Sequence, residues 1–225
     1  MDVGALGLDQ QDPDRSDLRT QFADAADGFA ELVHRVGSEQ WSLPALGVWD
    51  VRSLVGHASR ALSTVEPSLG QPVVDGPAIQ GPVEYYLTAL GDGSDSEARR
   101  GLDAAIAERG REAGIALGDD PAGSVSSLVS RVVALVEATA DDALVETRVG
   151  TMTLVGYLPT RTFELAVHSL DLARAIDRPL PPALGPAVAA SCRLAGHIAS
   201  RRPGAADALL LLTGRGDPTH TFTIL

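Results

Sequence analysis

The sequence carries one cysteine, Cys192, in 225 residues, so no intramolecular disulfide can form. It has no lysine: all 18 basic residues are arginine, a bias read as that of a GC-rich coding sequence rather than as chemistry. Positive charge is in deficit, with a net charge of −12, which repels polyanions and argues against nucleic acid or an anionic membrane as partner. Aromatics make up only 4%, so the core has to be built from Ala, Val and Leu, which suits closely packed helices. No apolar run approaches membrane-spanning length, the longest being Ala208 to Leu212. No charged segment followed by an apolar run opens the chain, and the expectation is a cytoplasmic protein, monomeric or homodimeric.

Apolar periodicity is what the chain has in abundance. Leu18, Phe22, Ala25, Phe29, Leu32, Val33 and Val36 form a helical stripe closed at Gly37. Asp50 is placed to cap a second helix running to about Leu69, with Trp49 before the cap able to pack on Leu54. Residues 70–95, broken by Gly and Pro around a short helical piece at 85–90, form a candidate lid or pocket wall. Residues 97–117 alternate charge and alanine, and Gly110 and Gly114 weaken their second half, which predicts a solvated, mobile helix. A third apolar helix covers Val125 to Val136, followed by a small hairpin from Leu144 to Val155. After Pro179, a helix over 183–200 turns Val188, Cys192, Leu194, Ala195 and Ile198 inward, with His197 outward, and a short strand at 221–225 ends the chain. His34, near a helix C-terminus, needs no special role.

One stretch stands apart. Residues 159–176 read as a single helix, begun by Pro159 in its first turn and ended before Pro179. On a 3.6-residue period Arg161, Glu164, His168 and Asp171 form one narrow stripe, while Phe163, Leu165, Val167, Leu170, Leu172 and Ile176 cover most of the remaining surface. Ionisable groups on so apolar a helix have to be paired, hydrogen-bonded or bound to a metal. Glu164 and His168 project from consecutive turns of one face, where carboxylate and imidazole can reach one cation. His57, beside the apolar stripe of the second helix, is the candidate third ligand. The alternatives at this point are a satisfied core histidine and a buried network without metal.

Two motifs resemble those of the mycothiol-dependent maleylpyruvate isomerase family, within the DinB-like superfamily of metal-binding helical bundles. The first runs from Leu43 to His57, where Trp49, Val51, Arg52, Leu54, Val55 and His57 match. Val48 separates Gly47 from Trp49 there, and Ser53 replaces an acidic residue. The second, Arg-x-x-Glu-x-x-x-His-x-x-Asp-Leu, is matched by Arg161, Glu164, His168, Asp171 and Leu172. The resemblance implies a mainly α fold: a DinB-like four-helix bundle over 14–180 with extra helices and a small hairpin, a flexible arm at 1–13, and a short truncated C-terminal α/β tail at 181–225. It implies His57, Glu164 and His168 as ligands of a divalent metal, Zn2+ foremost, with mycothiol as thiol cosubstrate bound as thiolate and a small-molecule substrate. Arg161 and Asp171 would then fix Glu164 and a ring N–H of His168. Arg215, in a Thr-Gly-Arg tail like the family's, would clamp a substrate carboxylate, with Arg52 as the competing clamp. Isomerase and S-transferase both fit; so do a thiol-independent hydrolase or tailoring enzyme, and a non-catalytic metal-bound bundle acting through a protein partner.

Overall fold

The computed structural model describes residues 15–70, 78–91 and 96–216. The arm expected at 1–13, most of the loop after residue 70, the glycine-rich break at 92–95 and the strand expected at 221–225 lie outside the described residues. The fold is mainly α. Its helices are α1 (Arg15–His34), α2 (Val51–Ser63), α3 (Val65–Gly70), α4 (Pro82–Leu90), α5 (Ser96–Ala116), α6 (Pro121–Ala138), α7 (Leu154–Ala175), α8 (Gly185–Ser200) and α9 (Ala205–Leu212). Among the described residues no helix is long and apolar enough to cross a membrane.

Helices α1, α2, α6 and α7 pack on one another around an aliphatic core in which Phe22, Phe29, Leu54, Leu62, Leu158 and Leu165 are fully buried. Arg19 ties the bundle's lower end together, since its guanidinium donates to Asp141 and to the Val136 and Thr139 carbonyls at the end of α6, where helical carbonyls lack intrahelical partners. Two small antiparallel hairpins punctuate the helices. The first, β1 (Pro44–Leu46) with β2 (Trp49–Asp50), was not evident in the sequence; the second, β3 (Leu144–Thr147) with β4 (Gly150–Thr153), falls where alternation predicts it and feeds straight into α7.

The sequence misplaces several features for identifiable reasons. Helix α2 stops at Ser63 rather than at about Leu69, because Pro67 has no N–H to give the Ser63 carbonyl and its ring crowds that carbonyl. Helix α7 starts at Leu154, capped by the Thr153 side chain on the Gly156 N–H, so Pro159 lies inside it rather than in its first turn. An interior proline costs about 3 kcal/mol, and burying Leu154, Leu158 and Leu165 completely, at roughly 1.5–3 kcal/mol each, carries the helix through. On α8 Ala187, Ser191, Ile198 and Ala199 are buried and Val188, Leu194 and Ala195 pack against the core as expected, but Cys192 is exposed.

The largest departure concerns α5. It is no free solvated helix: Gly114 is where α2 comes closest and Gly110 is where Trp49 of β2 lies against it. A Cβ built on Gly56 of α2 would lie 2.1 Å from the Gly114 nitrogen, and one on Gly110 would lie 2.8 Å from the Trp49 ring. Arg52 bonds across the same contact, to the carbonyls of Gly114 and Gly118, which settles it as a structural residue. Gly56→Ala should therefore destabilise the protein by about 1–3 kcal/mol or more through overpacking. Gly101→Ala, on the open face of the same α5 with nothing near the new Cβ, should stabilise it by up to about 1 kcal/mol. Urea unfolding of the two variants checks the opposite signs.

Candidate functional site

Asp50 starts α2 by accepting from the Ser53 N–H at 2.8 Å, a cap worth about 1 kcal/mol, and His57 follows two turns later. Trp49, just before the cap, is held by α5. Its ring lies against Gly110, its Nε1–H donates to the Ala107 carbonyl at 2.9 Å, and it stacks on His57 at a centroid separation of 4.4 Å. The imidazole of His57 is thereby fixed toward α7, edge-on to His168 with ring centroids 4.8 Å apart.

From α7, Glu164 and His168 face the same space. His57, Glu164 and His168 each offer one donor atom, and these atoms lie within 4.8 Å of one another. His168 Nδ1 is 3.2 Å from an Asp171 oxygen, and its Nε2 is 3.5 Å from Glu164 Oε2. Asp171 thus stands where the stripe on the helix predicts. Glu164 Oε1 accepts from the Tyr86 hydroxyl at 2.9 Å, and the same hydroxyl lies 3.2 Å from the Thr160 carbonyl. Tyr86 therefore does what the sequence assigned to Arg161.

Arg161 makes no ion pair with Glu164 among the described residues, because its guanidinium turns to the aromatic wall instead. Its carbon lies 4.6 Å from the Tyr157 ring centroid and 5.7 Å from that of Tyr85, with Nε donating to Thr160 Oγ1 at 3.0 Å and an Nη to the Tyr85 hydroxyl at 3.4 Å. All three tyrosines of the chain meet here, a gathering that spacing along the sequence does not signal beyond the Tyr85–Tyr86 pair in the candidate pocket wall. Arg215 is exposed after α9, its guanidinium on the Thr213 carbonyl, and is not among the residues around this space. The described part of the tail is helix α9 with its continuation to residue 216, and it does not bring Arg215 onto the site.

Electrostatics divide the two histidines. Burial lowers the His57 pKa to about 4, with the neighbouring His168 adding to the shift, so His57 is a neutral imidazole. Burial also works against charge on His168, but hydrogen bonds to Asp171 and Glu164 outweigh it and raise its pKa to about 9. The Glu164 carboxyl is pushed up by burial and brought well below the usual carboxylate range by His168, Arg161 and Tyr86. Tyr86 titrates well above its ordinary value, through burial and the Glu164 charge, and stays a donor.

These side chains stand at the wall of a cavity of about 740 Å³. Trp49, His57, Tyr85, Tyr86, Tyr157 and Arg161 line it, so α4 is a pocket wall. The donor set fits a divalent cation on three grounds. The Nδ1 of His57 is buried with no hydrogen-bond partner among the described residues, and an orphaned buried nitrogen costs about 1–3 kcal/mol. His168 gives Nδ1 to Asp171, which leaves Nε2 for a ligand. Two imidazoles and one carboxylate are the three-ligand set of catalytic zinc sites, which keep a further position open.

Residues 22–173 match the model of the family described as mycothiol maleylpyruvate isomerase N-terminal domain. No curated protein and no solved structure matches the chain.

Metal binding has to displace the His168 proton, while His57 and Glu164 are already unprotonated at neutral pH. The apparent Zn2+ affinity should therefore rise about tenfold per pH unit below about pH 9, a change of about a hundredfold between about pH 6 and about pH 8 in chelator-buffered titrations. A flat profile would mean that His168 is no ligand or carries no proton. His168→Ala should lose the metal yet keep its helical circular dichroism, since the aliphatic core is untouched; global unfolding would instead mark a structural metal.

Proposed function

The chain belongs to the mycothiol maleylpyruvate isomerase N-terminal domain family, and on that premise we propose that it is a divalent-metal-dependent enzyme using mycothiol against a small electrophilic metabolite. The observation that carries this reading is the His57, Glu164 and His168 donor set at the wall of an accessible cavity. A cation bound there, most plainly Zn2+, supplies Lewis acidity that lowers a thiol's pKa toward neutrality. The chain's residues do the rest. Trp49 fixes the plane of His57, Asp171 holds the tautomer of His168, and Tyr86 aims the Glu164 carboxylate. Tyr85, Tyr157 and Trp49 supply an apolar wall that limits water around the reacting atoms.

The nucleophile has to come from outside the protein. Cys192 is exposed on α8, and no cysteine is among the described cavity residues. An external thiol supplies sulfur nucleophilicity without one, and a cytoplasmic setting keeps that thiol reduced. Addition to an activated alkene with later expulsion of the thiolate gives isomerisation; displacement at an electrophilic carbon gives an S-transferase. A cavity open to solvent speaks against a purely structural metal, which would be closed off by protein ligands.

In turnover assays over a panel of activated alkenes and alkyl electrophiles, activity should require both mycothiol and metal. Omission of mycothiol should reduce turnover to the uncatalysed rate. Undiminished turnover without the thiol would replace this reading with a water-using hydrolase on the same metal set.

A further inference from the structure

The charge of the cavity runs against that of the chain. The protein carries −12, yet Arg60, Arg109, Arg148 and Arg161 line the cavity against Asp103, Glu146 and Glu164, four positive groups to three negative. A divalent cation on the donor set would make the excess larger.

Arg161 is the unusual member. It is only 8% exposed, and a buried guanidinium is normally matched by a carboxylate, because desolvating an unbalanced charge is costly. Among the described residues none lies within ion-pair distance of it. Its hydrogen bonds go to two neutral hydroxyls, those of Thr160 and Tyr85. The nearest acid along the helix, Glu164, is engaged by the Tyr86 hydroxyl and His168. A guanidinium has five N–H donors in a planar fork, so those two bonds leave donors free, and the residue borders the cavity. Tyr157 and Tyr85 hold the plane of the fork by cation–π contact. A strut between α4 and α7 would need neither free donors nor a place on the cavity wall.

We propose that Arg161 is the anchor for a carboxylate of the substrate, holding it by a forked pair of N–H···O bonds one helical turn from Glu164. The site thereby accepts two ligands of different chemistry. The thiol goes to the His57, Glu164 and His168 set, and the anion goes to Arg161, which fixes the electrophile's orientation relative to the sulfur. This takes over the clamp that the sequence placed at Arg215. It rests on the cavity being the substrate site, as in the function proposed above, and it assigns the residue that orients the substrate there.

The test is a calorimetric titration of the zinc-loaded protein with succinate, a small flexible dicarboxylate, and with succinamide, its neutral counterpart. Succinate should bind and succinamide should not. Arg161→Met should weaken succinate at least about tenfold with zinc stoichiometry unchanged, and Arg161→Lys, which keeps the charge but loses the fork, should fall between. Equal binding of the two compounds, or wild-type succinate affinity in folded Arg161→Met, overturns the proposal. Should that variant fail to fold, the wild-type protein decides: in ¹⁵N-arginine-labelled protein the Arg161 Nε–H resonance should shift with succinate and not with succinamide, and no shift overturns it. Neither arm uses mycothiol, so a failed anion titration leaves thiol dependence standing, and thiol-independent turnover leaves the anion site standing.

Discussion

Everything around α7 depends on one constraint: a helix buried on most sides carries Arg161, Glu164, His168 and Asp171 on a single face, and each charge has to be compensated where water does not reach. The compensation is local and chemically distinct for each group. Glu164 takes a hydroxyl from Tyr86 and lies against His168. His168 is bracketed by Glu164 and Asp171. Arg161 is laid on aromatic faces. The groups left uncompensated are informative, because His57 has a buried nitrogen without a partner and Arg161 has charge without a counter-ion among the described residues. Both border the same cavity, and both residual needs are of the kind a ligand meets.

The second requirement is that α2 bring His57 to α7 in a fixed orientation. That task falls to α5, which approaches α2 closely enough to exclude a Cβ at Gly56 and which holds the Trp49 indole through the Ala107 carbonyl. The Trp49 ring then stacks on His57. A helix that supplies none of the three donor residues thus sets the geometry of one, and Gly110 and Gly114, which weaken its own helical propensity, are what allow the approach. Stability and site geometry share the α2–α5 contact, so loosening it should disturb both.

Much of this was legible in the sequence because it obeys the helical period. The stripe on α7, the cap at Asp50, the apolar faces of α1, α2 and α6, and the β3–β4 hairpin are local patterns that packing reinforces. What escaped depends on tertiary placement. Gly110 and Gly114 look like defects along the chain and become contact points only once α2 is beside them. Tyr85 and Tyr86 are remote from α7 in sequence, so Tyr86 could not be matched to Glu164, and Arg161, one turn away, took the role by default. Cys192 was assigned inward together with Val188, Leu194, Ala195 and Ile198, which do pack on the core, but an alanine-rich helix marks the edge of its apolar face weakly and Cys192 falls outside it. Arg215 was placed by resemblance to a family ending, and among the described residues no contact brings it to the cavity.

In the reading proposed for this fold, two helices distant in sequence, α2 and α7, build one three-ligand metal site with room for exogenous ligands. X-ray absorption spectroscopy of the zinc-reconstituted protein, before and after addition of mycothiol, tests it directly. One ion is expected, with two imidazole nitrogens and one carboxylate oxygen at about 2.0–2.2 Å, and a sulfur at about 2.3 Å that enters only with the thiol. A first shell closed by four protein ligands, or one that gains no sulfur when mycothiol is added, would contradict it.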